Sequence, residues 1–128
     1  MPTFEQVTPI LCVRDVDASI AYYTEKLGFD DHWCWGEPTS FGGVRRDGFE
    51  IQFCKDGQGS PGTWMSIWVD DVDALHQDFQ ARGADIRQPP TNFDWGVREM
   101  NVADPDGHRI RFGMGTDQPG NGVPLAAD

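Results

Sequence analysis

WGVREMNVADPDGHRIRFG, residues 95–113, contains a turn flanked by two alternating segments. The turn is Asp104–Gly107, in which proline presets φ, the aspartates bond nearby backbone and glycine accepts a positive φ. Apolar and polar residues alternate on both sides of it, in Met100–Val102 before and in Ile110–Phe112 after. This pattern predicts a two-stranded hairpin with one apolar and one polar face.

The hairpin is the end of a unit that occurs twice in the chain. VRDVDA at 13–18 matches VDDVDA at 69–74, an offset of 56 residues (13 to 69). GFEIQF at 48–53 matches GHRIRF at 107–112, an offset of 59 residues (48 to 107). An internal repeat of this kind predicts two copies of one supersecondary unit.

The first copy, residues 7–54, is predicted to be a β-α-β-β-β module. Asp15 or Asp17 caps its helix, and Gly28 ends it. One face of that helix is apolar, with Val16, Ile20, Tyr23 and Leu27. The predicted strands are 7–13, 29–35, 41–46 and 49–54.

A linker, residues 55–63, separates this module from a second one at 64–113. The second module is predicted to begin with a strand at 64–69, followed by a helix capped by Asp70 or Asp71 and ended by Gly83. A short strand at 85–87, a Pro-rich loop at 88–96 that holds Trp95, and the hairpin complete it. The tail at 114–128 shows no periodicity and is predicted to be loosely held.

Composition limits the class of protein. The 128 residues suit a single domain built from two small modules. The formal net charge of −11 argues against nucleic acid or an anionic membrane as partner and favours a cationic small molecule. Three cysteines without metal-type spacing indicate neither disulfides nor zinc, and no apolar run could span a bilayer. Without a signal pattern at the N-terminus, we expect a cytoplasmic protein.

Strand parity assigns the two faces of the predicted sheets. An apolar set is expected to pack under the helices: Leu11, Val13, Ile51, Phe53, Met65, Ile67, Val69, Ile110 and Phe112. The opposite face is mixed and includes Trp64, Ser66 and Trp68 on one strand. Since a solvent-facing sheet seldom carries two large aromatics on one strand, this face is expected to line a cleft. The predicted fold is therefore α+β: two β-α-β-β-β modules whose curved mixed sheets surround a cleft, with the helices outside.

The paired modules, the helix entry DVDASIAYYTEKLGF and the hairpin DPDGHRIRF resemble the vicinal oxygen chelate superfamily over about residues 7–113. This superfamily includes glyoxalase I, extradiol dioxygenases and bleomycin-resistance proteins. Its metalloenzymes place ligands seven residues before the aspartate that begins each helix and near the end of each closing strand. Those positions are Thr8, Trp64, Gln52 and Arg111 here, and only Gln52 has a suitable donor.

The resemblance therefore implies no metal, no other cofactor and no catalytic residue. The three histidines fall on separate predicted elements and do not form a substitute site. Within the superfamily, the run Trp95–Met100, the aromatic strand Trp64–Val69 and the segment Asp30–Trp35 with Phe41 are most similar to the bleomycin-resistance proteins. Their members bind an antibiotic without transforming it. One tryptophan position of that subgroup is Ser66 here.

The implied function is non-catalytic sequestration of a planar, cationic, bleomycin-type antibiotic, which confers resistance. Aromatic side chains would stack on the ligand and Glu99 would attract it, while Arg111 pairs with Glu99 or with Glu50. The candidate ligand-binding residues are Trp33, Trp35, Phe41, Gln52, Trp64, Ser66, Trp68, Trp95, Glu99 and Arg111. A single chain of two modules could close its own cleft, or the modules could pair across a two-fold axis with the N-terminal strand exchanged between subunits; the resemblance favours the homodimer. The alternative is a metal-dependent lyase, isomerase or dioxygenase with atypical ligands.

Overall fold

A computed structural model describes residues 2–120, and within them the chain divides between Pro61 and Gly62 into two compact units. Each unit has the element order β-α-β-β-β and forms a four-stranded mixed sheet. The predicted α+β class and both modules are confirmed. No helix in this part of the chain has the length and apolarity to cross a membrane.

The first unit contains β1 (Ile10–Val13), α1 (Val16–Glu25), β2 (Asp31–Trp35), β3 (Phe41–Arg46) and β4 (Phe49–Lys55). Its sheet has the order β1-β4-β3-β2, with β1 parallel to β4 and the other pairs antiparallel. Asp15 begins α1 by accepting a hydrogen bond from the Ala18 amide at 3.1 Å. Tyr23 on α1 is fully buried, and its ring centroid lies 5.0 Å from that of Phe53 on β4.

The second unit contains β5 (Trp64–Trp68), α2 (Val72–Arg82), β6 (Asp85–Phe93), β7 (Val97–Ala103) and β8 (Arg109–Gly115). The sheet order is β5-β8-β7-β6, with β5 parallel to β8. Asp71 caps α2, and Gly83 ends it with a φ of 78°. Phe79 on α2 packs edge-on against Phe112 on β8 at a centroid distance of 5.2 Å.

The turn between β7 and β8 forms as predicted. One Asp104 carboxylate oxygen accepts hydrogen bonds from the amides of Asp106 and His108, both at 2.9 Å, and Gly107 has a φ of 79°. His108 is buried, and its Nδ1 accepts a hydrogen bond from the Thr63 amide at 3.0 Å. This histidine therefore joins the hairpin to the segment that leads into β5.

The predicted strand bounds were wrong for one edge strand of each sheet, β1 in the first and β6 in the second. The predicted loop at 88–96 is mostly strand, because β6 runs to Phe93 through Pro89 and Pro90. Since β6 is an edge strand with register shifts around Gln88, the missing proline amides disrupt few ladder bonds. β1 begins at Ile10 rather than at residue 7, because Pro9 has no amide to extend the ladder.

The core prediction held for the central strands and less well for β5. Six of the nine predicted core side chains are buried, whereas Met65, Ile67 and Val69 are only half-buried because β5 is an edge strand. β8 runs to Gly115, two residues into the predicted tail at 114–128. Residues 121–128 of that tail lie outside the described residues.

Candidate ligand-binding faces

Each helix covers one face of its own sheet, and the opposite face carries the predicted site residues. We call these opposite faces the first and second open faces. On the first, register places side by side the following residues: Ile10, Gln52, Gly43 and Trp33 in one row, Cys12, Cys54, Phe41 and Trp35 in the next, and Glu50, Arg45 and Asp31 on the other side.

Glu50 is the polar centre of the first open face. Its carboxylate accepts hydrogen bonds from Trp33 Nε1 at 3.1 Å and from Gln52 Nε2 at 2.7 Å, and Arg45 Nε lies 2.7 Å from Oε1. The side chain is only 14% exposed. The hydrogen bond from Gln52, followed by that from Trp33 and by Arg45, lowers the pKa of Glu50 below its ordinary value despite the opposing effect of burial.

The indole of Trp33 lies against Gly43. A Cβ added at Gly43 would lie 2.7 Å from Trp33 Nε1, so the glycine makes room for the indole that reaches Glu50. The Phe41 ring packs beside it at a centroid distance of 5.6 Å. Trp35 is separate from this cluster and is largely exposed, so it remains available for stacking.

On the second open face, the strand β5 presents Trp64, Ser66 and Trp68, all exposed. The guanidinium of Arg109, the cross-strand partner of Trp64, lies 5.5 Å from the centroid of that indole. A guanidinium at this distance from an aromatic face makes a favourable cation–π contact. This contact holds the guanidinium of Arg109 against the indole of Trp64.

Glu99 is held more loosely on the second open face than Glu50 is on the first. Trp95 Nε1 donates to Glu99 Oε1 at 3.4 Å, and Arg111 Nε lies 3.9 Å from the same oxygen. The predicted pairing of Arg111 with Glu99 is thus present, but at a distance too long for a hydrogen bond. Trp95 itself stacks on Phe93 with centroids 4.7 Å apart.

A continuous polar row crosses all four strands of the second sheet. Register aligns Ser66 with Arg111, Arg111 with Asn101, and Asn101 with Gln88. Asn101 is only 4% exposed, and its Oδ1 is fully buried with no hydrogen-bond partner among the described residues. We call Ser66, Arg111, Asn101 and Gln88 the polar row.

Asn101 was not among the site residues predicted from the sequence. Alternation placed it correctly on the mixed face, but its burial depends on β6. Because 88–96 is predicted to be a loop, the sequence provides no strand to cover this part of β7. In the structure β6 pairs with β7 out to Phe93, so Asn101 lies on a central strand.

The four positions at which the superfamily's metalloenzymes hold metal do not suit a cation here. Trp64 has no lone pair to donate, and Arg111 carries a permanent positive charge. Gln52 alone has a suitable oxygen, its amide nitrogen being the atom that donates to Glu50, and Thr8 lies before β1. Within residues 2–120, no three His, Cys, Asp or Glu side chains converge in a way that could hold a metal ion.

The open faces bring together most of the predicted site residues, each within its own unit. Trp33, Phe41 and Gln52 surround Glu50, and Trp35 stands apart on the same sheet. The remaining predicted residues share the second unit: Trp64, Ser66, Trp68, Trp95, Glu99 and Arg111. A ligand role for any of these residues, and the expected cleft, stay predictions.

Comparison with known proteins identifies the family to which this fold is similar. The family model described as Glyoxalase/Bleomycin resistance protein/Dioxygenase superfamily matches residues 3–112. The bleomycin-binding protein of Streptomyces verticillus, solved with copper(II)-bleomycin, is 27% identical with a TM-score of 0.72, over 88% of this chain and 97% of that one. TioX from Micromonospora sp. ML1 is 23% identical with a TM-score of 0.77, over 88% of this chain and 99% of that one. No curated protein sequence matches the chain.

Proposed function

The chain belongs to the glyoxalase/bleomycin resistance protein/dioxygenase superfamily, and on this basis we propose that it sequesters a planar, cationic antibiotic of the bleomycin type without transforming it. The observation that carries the proposal is the set of exposed tryptophans: Trp35 at 71%, Trp64 at 42%, Trp68 at 66% and Trp95 at 56% exposure. Large aromatics seldom remain exposed in such number unless they meet a partner. The likeness to the S. verticillus bleomycin-binding protein supports the same ligand class.

Stacking supplies the affinity in this proposal, and charge supplies the attraction. Flat ring systems stack on indole faces, and a cationic ring gains further from the π-electrons. The net charge of −11 draws a cation toward the protein and speeds encounter. Glu99, which is mostly buried but only loosely paired, is the carboxylate that we expect to meet the cation.

Sequestration rather than catalysis follows from the residue types at the superfamily's metal positions. With Trp64 and Arg111 at two of them, no metal is expected to polarise a bound molecule. A protein that only binds its ligand acts by mass action, so it must be present in amounts comparable to the antibiotic. Resistance is then proportional to the expression level.

We further expect a cytoplasmic homodimer. Residues 2–9 form no helix or strand, and Phe4 and Val7 are almost completely exposed, which suits an arm that pairs with a second copy. Within residues 2–120 the three cysteines form no disulfide, as expected in a reducing compartment. Deleting residues 2–8 should convert the dimer to a monomer in sedimentation, and an unchanged dimer would contradict strand exchange.

Titration with metal-free bleomycin, followed by tryptophan fluorescence, tests the proposal directly. Trp68→Ala or Trp95→Ala should cost about 1–3 kcal/mol of binding, the usual loss for an aromatic anchor. Phe49→Ala is the matched control, because Phe49 is equally exposed but lies at the tip of the β3–β4 hairpin. Absence of quenching would refute the named ligand. A change in the mass of bleomycin after incubation would refute sequestration and favour the enzyme alternative.

A further inference from the structure

Two of the three cysteines lie side by side in the first sheet. Cys12 on β1 and Cys54 on β4 are register partners in the parallel pair of strands. The residues next to them along these strands, Leu11, Val13 and Phe53, are at most 1% exposed and belong to the core. Since successive side chains of a strand point to opposite faces, both cysteine side chains project on the first open face. Each of the two cysteines is half-buried.

The spacing of the strands brings the two thiols within bonding range. Neighbouring strands lie about 4.8 Å apart, which is inside the Cα separation of about 4.4–6.8 Å that a disulfide spans. Side chains of a parallel register pair leave the sheet in the same direction, so their Cβ atoms are about as far apart as the strands. This separation is slightly beyond the Cβ distance of about 3.5–4.5 Å in a relaxed disulfide. A bond between the two cysteines therefore carries strain, and strained disulfides are the labile ones.

The segment that follows β4 lies against both cysteines. A Cβ added at Gly57 would lie 2.7 Å from Cys54 Sγ, and one added at Gly59 would lie 3.8 Å from Cys12 Cβ. A side chain at position 57 would thus compete with the Cys54 sulfur for the same space. Because the segment covers the pair only in part, the site suits modification by a small molecule.

We propose that Cys12 and Cys54 are a redox modification site, at which a small disulfide-containing oxidant converts the two thiols to a reversible intrachain disulfide. One thiolate attacks the oxidant, forms a mixed disulfide and releases one small thiol. The other thiolate then attacks the protein sulfur of the mixed disulfide and releases a second small thiol. Two electrons pass from the protein to the oxidant, and the two protons lost by the cysteines end on the two small thiols.

The disulfide fastens β1 to its own sheet. β1 is an edge strand of four residues, and residues 2–9 before it form no helix or strand. A short strand at the edge of a sheet and near a chain end is among the parts of a fold that open most easily. A covalent link at Cys12 prevents this opening. The inference is independent of the proposed ligand, because neither cysteine is a candidate ligand-binding residue.

Oxidation of the reduced full chain with glutathione disulfide, followed by mass spectrometry and peptide mapping, tests the proposal. We expect the protein to lose two hydrogen atoms at Cys12 and Cys54. Cys34, which is exposed and has Gly42 as its register partner, should gain one glutathione. Excess reduced glutathione should reopen the strained bond. Glutathione on Cys12 and Cys54 without a bond between them, or a bond that survives excess glutathione, would overturn the proposal.

Cys34→Ser is the matched variant, because it leaves the register pair intact. It should form the same intrachain bond and carry no glutathione. Cys12→Ser and Cys54→Ser should each carry glutathione on the remaining member of the pair. Loss of the bond in Cys34→Ser, or a disulfide that joins two chains through Cys12 or Cys54, would contradict the assignment.

Oxidation in urea determines whether the fold or the chain length selects the pair. Cys34 is 22 positions from Cys12 (12 to 34) and 20 positions from Cys54 (34 to 54), whereas Cys12 and Cys54 are 42 positions apart (12 to 54). Since a longer loop costs more entropy to close, the unfolded chain should favour bonds that contain Cys34. An equal yield of the bond between Cys12 and Cys54 in urea and in buffer would refute selection by the strand register.

Discussion

On the first open face, Glu50 is contacted by Trp33, Gln52 and Arg45, all within 3.1 Å of its carboxylate oxygens. On the second, Asn101 Oδ1 accepts no hydrogen bond from any described residue, and Glu99 has only contacts of 3.4 Å and longer. On the first open face the central carboxylate is therefore closely paired. On the second open face the central polar groups have long contacts or none.

The repeat shows how this difference arose within one backbone plan. At the offset of 59 residues, Glu50 corresponds to Arg109 and Gln52 corresponds to Arg111. An acidic, internally paired centre in one module is replaced by two arginines in the other, although the strands keep the same order. Backbone topology depends on the apolar face, which both modules share, so the open face was free to diverge.

The largest difference in stability between the two open faces is expected when each face loses its carboxylate, Glu50 on the first and Glu99 on the second. Glu50→Leu removes the acceptor of Trp33, Gln52 and Arg45 and should lower the free energy of unfolding by about 2 kcal/mol, since partly buried donors lose their partner. Glu99→Leu should cost less than about 1 kcal/mol, as expected for a long contact of 3.9 Å to an arginine that is itself half-exposed. Urea unfolding of both variants measures the two losses in the free energy of unfolding. Equal losses would mean that the two faces are paired to the same degree.

The next comparison concerns one glycine on each face. Gly43→Ala places a Cβ 2.7 Å from Trp33 Nε1, so the indole must move and its bond to Glu50 is lost, at a cost of about 1 kcal/mol. At Gly113 the nearest atoms, in Arg98, Glu99 and Trp68, lie at 3.7 Å, an ordinary contact.

Gly113→Ala should therefore leave the free energy of unfolding unchanged or raise it by up to about 1 kcal/mol, because alanine restricts the unfolded chain. Thermal or urea unfolding of both variants gives the comparison. A Gly113→Ala variant as destabilised as Gly43→Ala would show that the second face is as tightly packed as the first.

Much of this architecture could be predicted because the apolar pattern is local. The spacing of Val16, Ile20 and Tyr23 predicts α1, and the turn residues Asp104–Gly107 predict the hairpin; both are present. The repeat predicts two modules, and it requires no knowledge of which strand pairs with which. Periodicity and turn chemistry carry this information within a few residues.

The polar network could not be predicted because it depends on strand pairing across the sheet. The sequence indicates Glu50 only as an alternative partner of Arg111, since only the antiparallel register of β3 with β4 brings Arg45 beside it. Asn101 was missed because the prolines of β6 predicted a loop. An edge strand tolerates proline, so β6 is a strand after all, and it covers the neighbouring strand β7, on which Asn101 lies.

The smallest effect is expected in the pH dependence of stability. The pKa of Glu50 is lowered in the folded protein, first by the hydrogen bond from Gln52, and the pKa of Asp73 is lowered by the hydrogen bond from Arg98. A carboxylate whose pKa is lower in the folded state adds stability above its unfolded pKa, which is 4.5 for Glu50, and this contribution is lost as the pH falls through the folded value.

Each module therefore contributes one acid-sensitive carboxylate, but only that of the first lies on an open face. Urea unfolding between pH 7 and pH 3 should show stability falling below about pH 4.5. Glu50→Gln should flatten this fall, because the amide does not titrate, and so should Asp73→Asn. If Glu50→Gln left the fall as steep as in the unsubstituted protein, the carboxylate of the first open face would not be the acid-sensitive group of its module.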